Sequence, residues 1–219
     1  MKRLPGLGAI ARTDAVVDRR SGRHVDQVAG LASHITRFDP VLAGAIQGDL
    51  HVDLGYVDQE LEASPCDGWC ARDVVAHAAG VVDAVAKMAR TGENALPETP
   101  DPGDDPVGLW NRSRDNLLEA LDEPGVLGQV GSYWFGESTI EDILVFSQWD
   151  PLIHSWDLGQ AVGLEAHASQ DVAAVSLEVI GANAETLRGM ELMGPEVQVP
   201  ADADVMTRLL GLTGRNPLG

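Results

Sequence analysis

Beyond about position 40, apolar residues recur at three- and four-residue steps, the spacing of amphipathic helices with one buried face. The first stripe runs from about Pro40 through Val41, Leu42, Ile46, Leu50, Leu54 and Val57 to Leu61, interrupted by Gly44, Gly48 and Gly55. Ser64-Pro65-Cys66-Asp67-Gly68-Trp69 then has turn chemistry, because proline presets one dihedral angle and Asp-Gly tolerates the left-handed region. A second helix is predicted from about Ala71 through Val74, Val75, Ala78, Val81, Val82 and Val85 to about Arg90. Asp73 falls in its first turn, where a carboxylate complements the free amides, and His77 sits inside its apolar stripe. Asn94 to Asp105, rich in Pro, Asp and Glu, reads as an exposed connection without structure of its own. The third helix starts at Pro106, a residue suited to the first helical position, and stops at Pro124-Gly125.

Gly125 to Glu137 carries Tyr133, Trp134 and Phe135 among four glycines and predicts a short hairpin or an extended lid, with the aromatics packing over the end of a bundle. A fourth helix opens at a Ser138 or Thr139 cap, has Glu141 and Asp142 in its first turn, and ends at Gly163. Pro151 lies inside it and predicts a kink beside Asp150, because proline lacks an amide hydrogen and crowds the carbonyl of Ser147. A fifth stripe covers Val172 to Met190, Pro195 to Pro200 is extended, and a short helix from about Ala203 to Leu212 closes the pattern. The fold expected is all-α: a bundle of four main helices with extra C-terminal helices and one short extended or hairpin segment.

Charge divides the chain. Residues 1–37 hold seven basic and three acidic side chains, a net of +4, while the total of −19 leaves −23 for the remainder. The expectation is a flexible basic extension over 1–37 and one helical domain over 38–219. An acidic domain repels phosphate, so neither nucleic acid nor an anionic membrane is an expected partner. No apolar run approaches the ~20 residues of a bilayer span, and Lys2 and Arg3 are followed by no signal-like apolar segment. Cys66 and Cys70, at C-x3-C spacing, suit neither a redox pair nor a zinc knuckle, and a reduced, cytoplasmic setting fits them.

The candidate chemistry lies in Gln148–Ala161. Asp150 and His154, four residues apart, share one helix face. With His77 from the second helix they form a His, Asp, His set, a mixed N/O environment for zinc, nickel or another divalent metal with one position left open. Each alone has a plainer reading, as a solvated pair or a packed core imidazole. Cys66 is near enough in sequence to approach the site, a buried structural thiol being the alternative. Asp157 and Asp73 are candidates to orient the histidines, with helix capping the alternative for both and the preferred one for Asp73. Trp69 and Trp156 are expected to pack the bundle.

Two stretches carry a resemblance. Ser64-Pro65-Cys66-Asp67-Gly68-Trp69 with Arg72-Asp73 and Val74-Val75-Ala76-His77, and then Asp150-Pro151-Leu152-Ile153-His154-Ser155-Trp156-Asp157-Leu158, resemble the metal-binding domain of mycothiol-dependent maleylpyruvate isomerase, a branch of the DinB-like four-helix bundles. Leu209-Leu210 and Gly214-Arg215-Asn216-Pro217 resemble the end of its small metal-binding members, so the likeness spans about Pro40 to Pro217. The family usually has Thr in place of Cys70, and Pro151 is unusual between the ligands. The resemblance implies that His77, Asp150 and His154 are metal ligands. It also implies a transferase or isomerase in which the metal activates a low-molecular-weight thiol such as mycothiol toward a small electrophile. A metal-binding or regulatory module without chemistry, and a plain helical interaction domain, are the alternatives.

Overall fold

The computed structural model describes residues 63–133, 136–163 and 170–218. The expected basic extension, the Pro40–Leu61 stripe, Trp134 and Phe135 lie outside the described residues. Helix α1 spans Ala71–Thr91. The Asp73 carboxylate caps its start by accepting the Cys70 amide at 2.9 Å, which is the capping role expected of that residue. Gly92 ends it in the left-handed conformation at φ 68°. Helix α2 (Pro106–Leu121) begins where Asp105 accepts the Gly108 amide at 2.7 Å and stops slightly before the expected Pro124-Gly125. A 3-10 turn at Val126–Gly128 leads into the antiparallel hairpin of β1 (Val130–Tyr133) and β2 (Gly136–Thr139), with Val130 opposite Thr139. Helices α3 (Ile140–Ser147), α4 (Trp149–Val162), α5 (Gln170–Gly189) and α6 (Val205–Leu212) complete the chain. The molecule has the all-α, DinB-like fold with a short hairpin that the periodicity and the resemblance predict.

One expectation needs correction. The single fourth helix from Ser138 or Thr139 to Gly163 is two helices, broken at Gln148, with Thr139 and Asp142 forming a capping box at the start of α3. Pro151 consequently sits in the first turn of α4 rather than in a helix interior. Amide hydrogens in a first turn have no intrahelical partner, so proline loses little there. The break falls beside Ser147, whose carbonyl is the one that a residue at position 151 would otherwise have bonded.

Two apolar clusters flank α4. The first unites α1, α2, the hairpin and α3 through Val74, Val82, Trp110, Leu117 and Ile140, and receives Leu158 from α4. The second joins Trp149, Leu152 and Ile153 of α4 to Ile180 and Leu187 of α5 and Leu209 and Leu210 of α6. Helix α4 is thus the shared wall, buried on both sides. Among the described residues no helix is long and apolar enough to cross a membrane.

The connection after α1 is more constrained than its composition suggests. Ala95 is buried, and the Glu98 carbonyl lies against Gly80 of α1, where a β-carbon would collide with that backbone oxygen. Alanine normally favours a helix interior over glycine by about 1 kcal/mol. Gly80→Ala is expected to do the reverse here, destabilising the protein by roughly 1–3 kcal/mol because a backbone atom must move. Thermal melting checks this, and an unchanged or raised Tm would show that the connection is not pinned to α1.

Candidate functional site

Helices α1 and α4 bring the three expected residues together. His77 lies on the α1 face toward α4, and Asp150 and His154 lie one turn apart on α4. The His77 Nε2 to Asp150 Oδ2 distance is 3.2 Å and the His154 Nε2 to Asp150 Oδ2 distance is 3.8 Å. One ligand atom from each of the three lies within 4.8 Å of the others. The second carboxylate oxygen, Asp150 Oδ1, is buried without a hydrogen-bond partner in the protein. A buried lone pair left unmatched is costly unless something else satisfies it.

Behind His154 stands a second layer. Asp157, fully buried, accepts from His154 Nδ1 at 2.8 Å. That contact places the ring proton on Nδ1 and turns the Nε2 lone pair toward Asp150. Asp157 also accepts from Arg215 Nη2 at 2.7 Å and Nε at 3.2 Å, and from the Cys66 thiol at 3.1 Å. Arg215 further donates to the Thr213 carbonyl at 3.1 Å. Burial pushes the Asp157 carboxyl up, but the imidazole and guanidinium overcome it and hold the group at about 2. Burial and the neighbouring Asp157 charge push Cys66 up to about 12, so it stays a thiol and donates. Burial alone would raise Asp150 and lower His77; the charges of His154 and His77 around the carboxylate instead pull Asp150 down, and the hydrogen bond to Asp150 raises His77.

Several roles differ from those the sequence suggested. Trp69 does not only pack the bundle: its ring lies stacked on His154 with centroids 5.7 Å apart and tilted against His77 at 5.0 Å. Trp156 packs on the second apolar cluster, as expected. Cys66 is half-buried and touches both Asp157 and His154 Nδ1, the latter at 3.8 Å. Arg215 was legible only as part of a C-terminal motif. It reaches Asp157 across 58 positions of sequence, and no local pattern encodes such a contact. Asp157 had a local signal, its i,i+3 spacing from His154.

Cys66, His154 and Asp157 form a second set of possible donor atoms. Its oxygen is already committed to a guanidinium and an imidazole, and its sulfur is protonated. The first set has an orphaned oxygen and a solvent-facing side, with the His77 side chain 22% exposed and Asp150 16%. The first set is therefore the one whose chemistry is unfinished.

The depressed Asp157 pKa makes stability depend on pH. Its folded value lies below the ordinary value of about 3.9, so its contribution is complete above about pH 4 and is lost as pH falls toward 2. Asp157→Asn is expected to cost on the order of 2 kcal/mol at pH 7. The gap between variant and parent should close between about pH 4 and pH 2, measured by urea denaturation at several pH values. A gap independent of pH would mean that the carboxylate charge is not what stabilises the fold.

Residues 56–159 match the family model described as mycothiol maleylpyruvate isomerase N-terminal domain. The match includes His77, Asp150, His154 and Asp157 and stops short of Arg215. Neither the curated proteins nor the solved structures gave a match. Over residues 56–159, a little under half of the chain, the sequence is similar to the mycothiol maleylpyruvate isomerase N-terminal domain family.

Proposed function

We propose that the protein binds a divalent metal, zinc or nickel, through His77 Nε2, Asp150 and His154 Nε2, and uses it as a thiol-dependent transferase or isomerase. The observation that carries this reading is the half-buried Asp150 carboxylate, with Oδ2 facing two imidazole nitrogens at 3.2 and 3.8 Å and the buried Oδ1 unpaired. Tetrahedral ligands ~2.0–2.1 Å from zinc stand about 3.3 Å apart, close to both spacings. Two nitrogens and a carboxylate leave one position for an exogenous ligand, on the side where His77 and Asp150 are partly exposed.

A bound divalent ion would supply the positive charge that lowers the pKa of a thiol brought to the open position. The chain's own groups do the rest. Asp157 keeps the His154 proton on Nδ1 and leaves Nε2 free to ligate. Arg215 fixes Asp157 from the C-terminal segment and offsets its buried charge. Trp69 packs against both imidazole rings. His77 Nε2 must be free of a proton to ligate, so metal binding would replace its hydrogen bond to Asp150 and would weaken as pH falls. A low-molecular-weight thiol of the mycothiol type is the reactant that the family description favours, with a small electrophile as its acceptor.

Elemental analysis of untagged full-length protein should find about one equivalent of zinc or nickel. His77→Ala, Asp150→Ala and His154→Ala should each abolish stoichiometric metal, whereas Asp157→Asn should weaken affinity about 10–100-fold. In cobalt-substituted protein, added thiol should change the visible absorption. No metal uptake by the parent protein would overturn the centre. Metal uptake with a spectrum indifferent to thiol would leave a metal-binding module without the proposed chemistry.

A further inference from the structure

Beside the His/Asp cluster lies a cavity of about 830 Å3. Its volume is within the usual range for small-molecule sites. The sequence explains why space is left there. On α1 the lining positions are Val81, Ala84, Val85 and Met88, at helical spacing, and Ala84 is the shortest side chain of the four. Met190 and Met193, in the turn after α5, close the far side, so with Met88 three methionines line one chamber. Unbranched thioether side chains adapt to ligands of varied shape. Leu96 and Leu192 also line it and are 62% and 48% exposed. They stand on two separate segments, the connection pinned by Gly80 and the α5 turn, as apolar lips where the cavity meets solvent.

The cavity's charges define its occupant further. Among the described lining residues Arg215 is the only Lys or Arg, and both ends of its guanidinium fork are committed to Asp157. The carboxylates of Asp67, Asp150 and Glu191 also border the space. In the metal-free protein an anion entering it would meet these carboxylates and no uncommitted Lys or Arg, while its own charge would be desolvated against methionine and leucine. His77, Asp150 and His154, whose donor atoms lie within 4.8 Å of one another, form one polar corner of the lining. A wholly apolar segment of the chain itself would leave the Asp150 oxygen unpaired if it filled this end.

From these observations we infer that the cavity binds an uncharged, flexible, predominantly apolar small molecule with one polar end directed at the His/Asp cluster. Within the proposed function, on which this assignment rests for the role of the polar end, that molecule is the acceptor of the thiol: an electrophile with a flexible alkyl or aryl body.

The test uses the full chain, stripped of metal by chelation and dialysed, with the primary alcohols from 1-pentanol to 1-octanol as probes in calorimetric titration at pH 7. Each added CH2 should tighten binding roughly fourfold. Octanoate should bind at least tenfold more weakly than 1-octanol. The Leu96→Glu/Leu192→Glu protein, altered only at exposed positions, should lose at least tenfold in 1-octanol affinity while keeping its circular dichroism spectrum. Affinity that does not grow with chain length, tighter binding of octanoate, or no binding by the full chain would overturn the assignment. Metal uptake measured on the same protein separates the two readings. Chain-length-dependent binding by protein that takes up no metal would support the cavity assignment and sink the metal centre. A flat series with normal metal uptake would do the opposite.

Discussion

A fully buried carboxylate must be matched by donors, and the arrangement around Asp157 follows from that requirement. Its two oxygens collect the His154 imidazole, the Arg215 guanidinium and the Cys66 thiol. Those three groups come from α4, from the segment after α6 and from the turn before α1. One charge therefore ties three distant parts of the chain to a single point. Removing a partner from such a group is costlier than the pair is worth on the surface, because the remaining charge stays buried. The same contact fixes which nitrogen of His154 carries the proton, so the constraint that organises the fold also prepares the site.

Position along α4 determines what each residue meets. The helix is buried on two sides, and the clusters flanking it share few residues, so each turn of α4 faces a different environment. Trp149 and Ile153 look toward α5 and α6, Leu158 toward α1 and α2, and Asp150 and His154 toward His77. The break at Gln148 lets α3 and α4 pack as separate elements, and it puts Pro151 where a missing amide hydrogen costs little. The residue that looked most damaging to the ligand geometry is accommodated by the placement of the helix start.

The polar cluster and the cavity are two halves of one concave surface. One half is carboxylate and imidazole with an unpaired oxygen; the other is methionine, leucine and aromatic wall. Pockets of this kind orient a ligand by a few convergent polar groups and hold it by apolar area. Among the described lining residues the one guanidinium, that of Arg215, is already paired with Asp157.

How much of this was legible depended on the range of the interaction involved. Helix α1, read from about Ala71 to about Arg90 and observed over Ala71–Thr91, was legible almost to the residue because periodicity and capping are local. The hairpin, the Thr139 cap and the short α6 were legible for the same reason. Asp150 and His154 could be paired from their spacing alone, and His77 was drawn to them by an apolar stripe that had to face inward. The split of the fourth helix was only half visible: Pro151 announced a disturbance, but whether it became a kink or a new helix start was decided by packing. The connection at 93–105 read as loose because its composition is polar, yet Gly80 pins it by admitting the Glu98 carbonyl. The Arg215–Asp157 pair, the Trp69 stacking and the methionine-lined cavity had no sequence signal at all. By itself the sequence determined the helices, their caps and the three inward-facing donors, since each follows from spacing within a few residues. Only the tertiary structure decided which distant side chains share a buried charge and where volume is left unfilled, because both depend on how whole helices sit against one another.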